Sequence, residues 1–165
     1  MTRILLLGLV ALSLAACSTP PPRNAQTPSF YLQMARADAT VDAAMARDMI
    51  SAYRHNKGLG PLIVDPDLQA AAQAEARAMA SVDKPSSADA VKARLAAAGF
   101  RAPAANLSAG YYTLAEAFSG WRESPQHDRV LLDPNATRIG IATAYTPNSK
   151  YKVYWAMVVA AERKP

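Results

Sequence analysis

Cysteine is almost absent from this 165-residue chain, in which Cys17 is the only thiol. A single thiol excludes an intramolecular disulfide, so packing alone has to hold the fold together. Aromatic residues supply only 7% of the chain, and much of its 51% hydrophobic content is alanine. This composition predicts one helix-rich domain whose core is built largely from small side chains.

Runs of like charge are also missing. The chain carries 18 basic and 13 acidic residues, a net charge of +5 that falls to +4 if Arg3 leaves with an N-terminal leader. The basic residues stand singly along the chain, and nucleic-acid binding needs them clustered on one surface. We therefore expect no nucleic-acid partner. A small diffuse excess fits weak attraction to anionic lipid headgroups or wall polymers better.

The N-terminus has the pattern of a secretory leader. Arg3 precedes an apolar run, Ile4 to Leu14, that is too short to cross a bilayer as a permanent helix. Small residues at 15–16 then lead into Cys17, which resembles the lipobox of bacterial lipoproteins. That resemblance implies a signal peptide at 1–16 and a diacylated Cys17 (with chains such as palmitate) that anchors the protein to the membrane. An ordinary signal peptide with a chance cysteine is the alternative.

Proline separates the leader from the rest of the chain. The prolines at 20–22 and Pro28 stand among small polar residues, a composition typical of an extended tether. We predict a tether over 17–36 and a folded domain over 37–165. Ser18 follows the cysteine where an aspartate commonly retains lipoproteins at the inner membrane. The sequence thus favours the periplasmic face of the envelope, with the outer membrane preferred.

Hydrophobic periodicity predicts helices followed by a hairpin. The first helix is expected over Ala37–Asn56, with Arg54 off its apolar face. Others are predicted to begin at Asp65-Pro66, at Ser86 or Ser87, at Thr113 with Glu116 as a capping box, and at Ser124-Pro125. A strand is expected near 105–111. Alternation over 139–145, a turn-rich loop and a segment rich in Val, Tyr and Trp over 151–161 predict a terminal hairpin. The sum is an α+β fold, with helices on a small antiparallel sheet.

Several motifs, in order, resemble the bacterial CAP domain, whose superfamily includes pathogenesis-related proteins, venom antigens and cysteine-rich secretory proteins. The matching segments are Ala52-Tyr53-Arg54, Gly58-Leu59-Gly60-Pro61-Leu62, Asp65-Pro66-Asp67-Leu68, Asn106-Leu107-Ser108-Ala109-Gly110, Trp121-Arg122-Glu123-Ser124-Pro125-Gln126-His127 and Asp133-Pro134-Asn135. The resemblance covers about 43–159 and implies the family's α–β–α sandwich.

The resemblance also implies where a histidine–glutamate tetrad would lie. His127 matches the second histidine, whereas the loop at 81–87 contains no candidate for the first. Ala105 stands where the first glutamate is expected. Ser124 stands where the second is expected, with Glu123 one position early. On these residues the tetrad is reduced to His127, too few ligands for a stable zinc site, so no metal and no cofactor are predicted.

Three residues are candidates for catalysis: His127 as general base, and Glu75 or Glu123 as its orienting acid. Glu75 shares a helical stripe with Ala72 and Met79, so its charge has to be paired or titrate. A structural pair with an arginine is favoured over a place on the cleft floor. A structural role for His127 is equally open.

Three further residues are candidates for binding: Asn106, Ser124 and Tyr111. Ser124 is also a simple helix cap, and a place for Tyr111 in the core or on the surface is the alternative. The leading hypothesis is a binding module for a lipid or cell-wall ligand. A lipid or sterol carrier, which needs an apolar groove, and a divergent hydrolase of envelope peptides, glycans or lipids are the alternatives.

Overall fold

The computed structural model describes residues 27–163. The predicted leader, Cys17 and the first half of the predicted tether (17–26) lie outside these residues. Five α-helices and four strands follow a short 3-10 turn at Ser29–Tyr31. They are α1 (Ala43–His55), β1 (Ile63–Val64), α2 (Pro66–Ser81), α3 (Ala88–Ala97), β2 (Arg101–Ala109), α4 (Leu114–Glu123), α5 (Pro125–Leu131), β3 (Arg138–Tyr145) and β4 (Val153–Ala161). Over 27–163, no helix is both long and apolar enough to span a membrane.

The strands form one sheet in the order β1-β3-β4-β2. The predicted hairpin is present, since β3 and β4 pair antiparallel with Ile141 opposite Met157. Strand β2 pairs antiparallel with β4 and forms one edge of the sheet. The two-residue strand β1 pairs parallel to β3 at the other edge.

Side-chain alternation along the strands gives the sheet two buried faces. One face packs against α1, α4 and α5, and its core includes Trp121 and Trp155 in edge-to-face contact, with ring centroids 6.1 Å apart. The other face packs against α2 and α3 through smaller residues such as Ala72 and Ala156. The result is the predicted α–β–α sandwich, with a core of small side chains under α2.

Helices α2 and α4 begin where the sequence predicts a side chain that caps the helix. The Asp65 carboxylate accepts hydrogen bonds from the backbone N–H groups of Asp67 and Leu68, at 2.9 and 3.0 Å. Thr113 Oγ1 accepts from the N–H of Glu116 at 3.2 Å. The Glu116 carboxylate in turn accepts from the N–H of Tyr112 rather than from Thr113 itself. Both starts confirm the capping predictions.

The predicted start of the first helix at Ala37 is wrong. Helix α1 begins at Ala43, because the carboxylate of Asp42 accepts a hydrogen bond from the backbone N–H of Met45 and caps it there. The preceding segment is extended and turned, and Met34 is buried in the core with its N–H donating to the carbonyl of Tyr112. Residues before α1 therefore pack on the domain.

The expectation that Arg54 lies off the buried face is also wrong. Arg54 is 1% exposed, and burial lowers the pKa of its guanidinium. Its nitrogens donate at 2.8–3.0 Å to four backbone carbonyls, those of Gly60, Leu131, Asp133 and Ala136. A planar guanidinium can hold several acceptors at once. Arg54 thus joins α1 to the loop before β1, to the end of α5 and to the loop between α5 and β3.

Candidate functional site

His127 and Asn106 form a reciprocal pair between α5 and β2. The Nδ1 atom of His127 lies 3.0 Å from Oδ1 of Asn106, and Nδ2 of Asn106 donates to the His127 carbonyl at 3.0 Å. Because the amide nitrogen is committed to that carbonyl, the amide oxygen is the acceptor that faces the ring. His127 therefore carries its proton on Nδ1, which leaves the lone pair on Nε2.

The His127 ring is held neutral. The residue is half-buried, and this burial lowers the pKa of the imidazole below its ordinary value of 6.5. Within 27–163, no carboxylate makes a hydrogen bond or ion pair with the ring. An amide fixes the tautomer of an imidazole but does not stabilise its protonated form as a carboxylate does. The pair thus presents a neutral hydrogen-bond acceptor at Nε2.

A cleft of about 500 Å³ opens at the β2 edge of the sheet, and neither His127 nor Asn106 lines it. Ala104 and Ala105 of β2 line it between helices α3 and α5. Its other lining residues are mostly polar: Ser87, Asp89 and Lys92 from the start of α3, and Gln126 and Arg129 from α5. His127 follows Gln126 on the same helix, with its ring turned to Asn106. The cleft is therefore lined by chain neighbours of His127 and Asn106 rather than by these two residues, and it carries both acidic and basic side chains.

These polar residues were missed by sequence analysis. Asp89 and Lys92 form an ion pair of 2.6 Å one turn apart on α3, and Arg129 Nε donates to the carbonyl of Pro125 at 3.1 Å. In the sequence, Asp89, Lys92 and Arg129 each have the pattern of an ordinary exposed residue of a helix. No local pattern signals that they meet, because α3 and α5 come together only at the β2 edge of the folded domain.

Glu75 does not meet His127. It lies on α2, across the sheet from α5, is 5% exposed, and forms an ion pair with Arg94 of α3. This is the structural arginine pair that the helical stripe predicts. Glu75 and Arg94 line a second cavity of about 460 Å³ between α2 and α3. The structure separates two of the predicted catalytic candidates into different layers.

Three other predicted residues lie around the α4–α5 corner. Glu123 is exposed at the end of α4, and Ser124 is the N-terminal cap residue of α5, where its carbonyl accepts from the N–H of Asp128 at 2.8 Å. Tyr111 is half-buried against α4, close to Gly120, and its carbonyl accepts from Nε1 of Trp155 at 2.8 Å. None of the three lines either cavity.

Acidic residues, histidines and cysteine do not gather into a metal site in the part of the chain that the structure describes. No group of three or more of these side chains lies close enough to hold an ion there. His127 has a single polar side-chain partner, Asn106, which is a weak ligand for zinc.

Comparison with known proteins agrees with the fold described above. A model of the cysteine-rich secretory protein family, CAP, matches residues 47–159. The first motif of the resemblance, which starts at Ala52, and the hairpin strands through Val159 both lie within the match. No curated protein matches the chain.

Solved structures share the fold at low sequence identity. An outer surface protein from Borrelia burgdorferi superposes with a TM-score of 0.63 at 17% identity, covering 73% of this chain and 92% of that one. An extracellular SCP-domain protein from Bacillus anthracis gives 0.61 at 20% identity, and a cysteine-rich secretory protein from Staphylococcus aureus gives 0.58 at 18%. In both of the latter comparisons the match covers 73% of this chain. It covers only 40% of the Bacillus anthracis chain and 38% of the Staphylococcus aureus chain.

Proposed function

Because the chain belongs to the cysteine-rich secretory protein (CAP) family, we propose that it is an envelope-anchored binding module whose cleft holds a cell-wall fragment without cleaving it. The observation that carries this proposal is the pairing of His127 with Asn106 alone. The family tetrad that the resemblance implies needs carboxylates beside the histidine. In this chain Ala105 occupies the place of one, and Glu75 lies across the sheet.

The chemistry of the cleft supports binding over hydrolysis. A hydrolase needs, besides a base, an acid or a nucleophile within reach. Burial lowers the pKa of His127 below 6.5, and within residues 27–163 its ring pairs with the amide of Asn106 and with no acid. Asn106 holds the ring in place as a contact between β2 and α5, next to the Gln126 and Arg129 side chains that line the cleft.

The lining of the cleft favours a peptide or glycan. Ser87, Gln126 and Arg129 supply hydroxyl, amide and guanidinium groups around a cavity of about 500 Å³. Such groups recognise amide and sugar oxygens, and cavities of about 300–1,000 Å³ hold ligands of this size. Cell-wall peptides and glycans are abundant in the compartment to which the predicted N-terminal leader would direct the chain.

Anchoring forms part of the proposal. The leader, the small residues before Cys17 and the proline-rich stretch after it support a diacylated cysteine with the domain tethered on the periplasmic side, at the outer membrane. The Borrelia burgdorferi protein is named as an outer surface protein and the Bacillus anthracis protein as extracellular. Both names fit a fold used outside the cytoplasm.

A titration with soluble muropeptides tests the proposal. Amide resonances of the first turns of α3 and α5 should shift on binding, and Arg129→Gln should weaken the affinity about fivefold, the effect of losing one exposed charged hydrogen bond. Arg77→Gln makes the same charge change on an exposed position of α2 and should leave the affinity unchanged. Shifts confined to other surfaces, or equal affinities of the two variants, would contradict it.

A further inference from the structure

Exposed hydrophobic side chains gather at one end of the sheet. Five large ones are exposed in residues 27–163: Tyr31, Leu32, Ile63, Val82 and Tyr112. Tyr112 follows strand β2, and its carbonyl accepts a hydrogen bond from the N–H of Met34 at 2.8 Å. This contact brings Tyr31 and Leu32, which lie just before Met34 in the chain, to the end of β2. Three of the five exposed side chains are therefore neighbours there.

Val82 belongs to the same end of the sheet, and Ile63 does not. Val82 is 68% exposed, and the neighbouring Asp83 accepts a hydrogen bond from the hydroxyl of Tyr154 at the start of β4. Strand β4 begins where β2 ends, because the two strands are antiparallel with Ala109 opposite Tyr154. Ile63 lies at the opposite end, since its strand pairs with the first residues of β3. Four of the five exposed side chains thus share one end.

Tyrosine and lysine are concentrated at this same end. Of the seven tyrosines in the chain, six lie there: Tyr31, Tyr111, Tyr112, Tyr145, Tyr151 and Tyr154. The lysines there are Lys84, Lys150 and Lys152. We call the surface formed by residues 29–34, 82–84, 110–112 and 145–152 the tyrosine end. Its one acidic residue is Asp83, so the surface carries an excess of positive charge.

This composition suits a membrane surface. Tyrosine and lysine each combine an apolar body with a polar tip, so the body can enter the headgroup region of a bilayer while the tip stays hydrated. Lys150 already extends along an aromatic ring, with its Nζ 4.9 Å from the centre of the Tyr151 ring. An excess of positive charge is attracted to anionic lipid headgroups. Exposed apolar groups that cluster rather than scatter mark an interaction surface.

The place where the chain enters the domain favours a bilayer as the partner. The 3-10 turn Ser29–Tyr31 belongs to the tyrosine end and follows Thr27, the first residue that the structure describes. Ten peptide steps separate Cys17 from Thr27, and they span at most about 35 Å when fully extended. An acylated Cys17 would therefore hold this end, before any other part of the domain, close to the membrane.

We propose that the tyrosine end docks on the membrane surface, with Tyr31, Leu32 and Tyr112 at the headgroup boundary and the lysines against anionic headgroups. The proposal rests on the anchoring proposed above and extends it from a tether to an oriented contact. The strands then point away from the bilayer. The cleft lies on the β2 edge of the sheet rather than at this end, so docking leaves it accessible.

The only thiol of the chain provides a direct test. The chain from Cys17 onward is coupled through this thiol to a maleimide lipid in nanodiscs of phosphatidylethanolamine and phosphatidylglycerol that also contain a lipid with a gadolinium-chelating headgroup. Amide resonances of the tyrosine end should broaden. Those of Arg138 and Ala161 should stay sharp, because they lie about 25 Å farther from the bilayer along the strands. Equal broadening at both ends, or broadening centred on another surface, would overturn the proposal.

A matched set of variants assigns the contact to the exposed side chains. Tyr31→Ser combined with Leu32→Ser should lower the ratio of docked to undocked protein about tenfold, since both changes remove large apolar groups from the contact. Ile63→Ser removes an exposed apolar side chain at the opposite end and should leave the broadening pattern unchanged. A pattern that survives the double substitution would contradict the proposal.

Two further measurements separate this proposal from anchoring and from self-association. Coupling to the maleimide lipid does not depend on acylation in the cell, so mass spectrometry of mature Cys17 tests anchoring by itself. An unmodified Cys17 together with an oriented coupled chain would contradict the anchoring alone. A second copy bound at the tyrosine end would give a dimer in sedimentation and protect the same amides without lipid, and that result would overturn docking on the membrane.

Discussion

Nδ1 of His127 lies 3.0 Å from Oδ1 of Asn106, and the same asparagine donates through Nδ2 to the His127 carbonyl at 3.0 Å. Two hydrogen bonds in opposite directions fix both the ring orientation and the tautomer of the histidine. Asn106 is fully buried on edge strand β2 and His127 lies in the first turn of α5. The pair therefore joins the sheet to the helix that lines the cleft.

The pH dependence of stability should report on His127. Burial holds its folded-state pKa below the unfolded value of 6.5, so between these two values the unfolded chain binds more protons. The contribution of His127 to stability is complete above pH 6.5 and is lost as the pH falls toward the folded-state pKa. Urea unfolding at several pH values should show this loss, and His127→Gln should remove it.

The second histidine provides the control for this measurement. His55 lies at the exposed end of α1, and His55→Gln removes a histidine without touching the cleft. The pH profile of that variant should match the unmodified protein. At pH 7.5, His127→Gln should cost only about 1 kcal/mol, the net value of one hydrogen bond. A flat wild-type profile, or equal profiles for the two variants, would refute the assignment.

Arg54 should be essential to the fold. Arg54→Lys replaces a guanidinium that reaches four carbonyls by an ammonium that cannot span them, which leaves buried acceptors without donors. We expect a loss of about 3 kcal/mol in the free energy of unfolding. Arg47→Lys on the same helix, where the side chain is 33% exposed, should change stability by less than about 0.5 kcal/mol. Similar losses for both would show that the carbonyl contacts contribute little.

Gly140 is the contact point of α2 with the sheet. A Cβ atom there would lie 2.2 Å from the backbone carbonyl of Leu68, so Gly140→Ala has to push α2 away from β3. Overpacking of this kind costs about 1–3 kcal/mol. Gly60→Ala is the matched control, because a Cβ at Gly60 meets no atom within 4 Å. Thermal melts of the two variants should differ accordingly, and an unaffected Gly140→Ala would contradict the close packing.

Membrane anchoring should depend on Cys17. Cys17→Ser removes the only thiol available for acylation, so the protein should move from the membrane fraction to the soluble periplasmic fraction or accumulate unprocessed. Ser18→Ala changes the neighbouring residue without touching the thiol and should remain with the membrane. Wild-type protein found wholly in the soluble fraction would contradict lipidation.

Local chemistry explains what the sequence predicted well. The caps at Asp65 and Thr113 depend on residues two or three positions away, and the alternation over 139–145 depends only on which face is buried. The burial of Glu75 also followed from helical spacing. Its partner Arg94, however, belongs to a different helix, and no local pattern gives the packing of α3 on α2.

Non-local contacts explain what was missed. Arg54 is buried because backbone carbonyls 77 to 82 positions later in the chain accept its hydrogen bonds. Neither its place on α1 nor its charge predicts these contacts. Most of the cleft residues come from two helices that are separated in sequence by β2 and α4. The hypothesis that Glu75 and His127 share a cleft is wrong for the same reason. The two residues lie on helices that pack against opposite faces of the sheet, and no local pattern predicts which face a helix covers.

If the cleft binds an envelope ligand without turnover, mass spectrometry should recover that ligand intact. Soluble muropeptides are incubated with the unmodified protein and with His127→Gln, at concentrations at which the amide shifts show binding. We predict that both proteins return the muropeptides unchanged. Cleavage products formed by the unmodified protein and absent with a stably folded His127→Gln variant would contradict the account and make His127 a catalytic base.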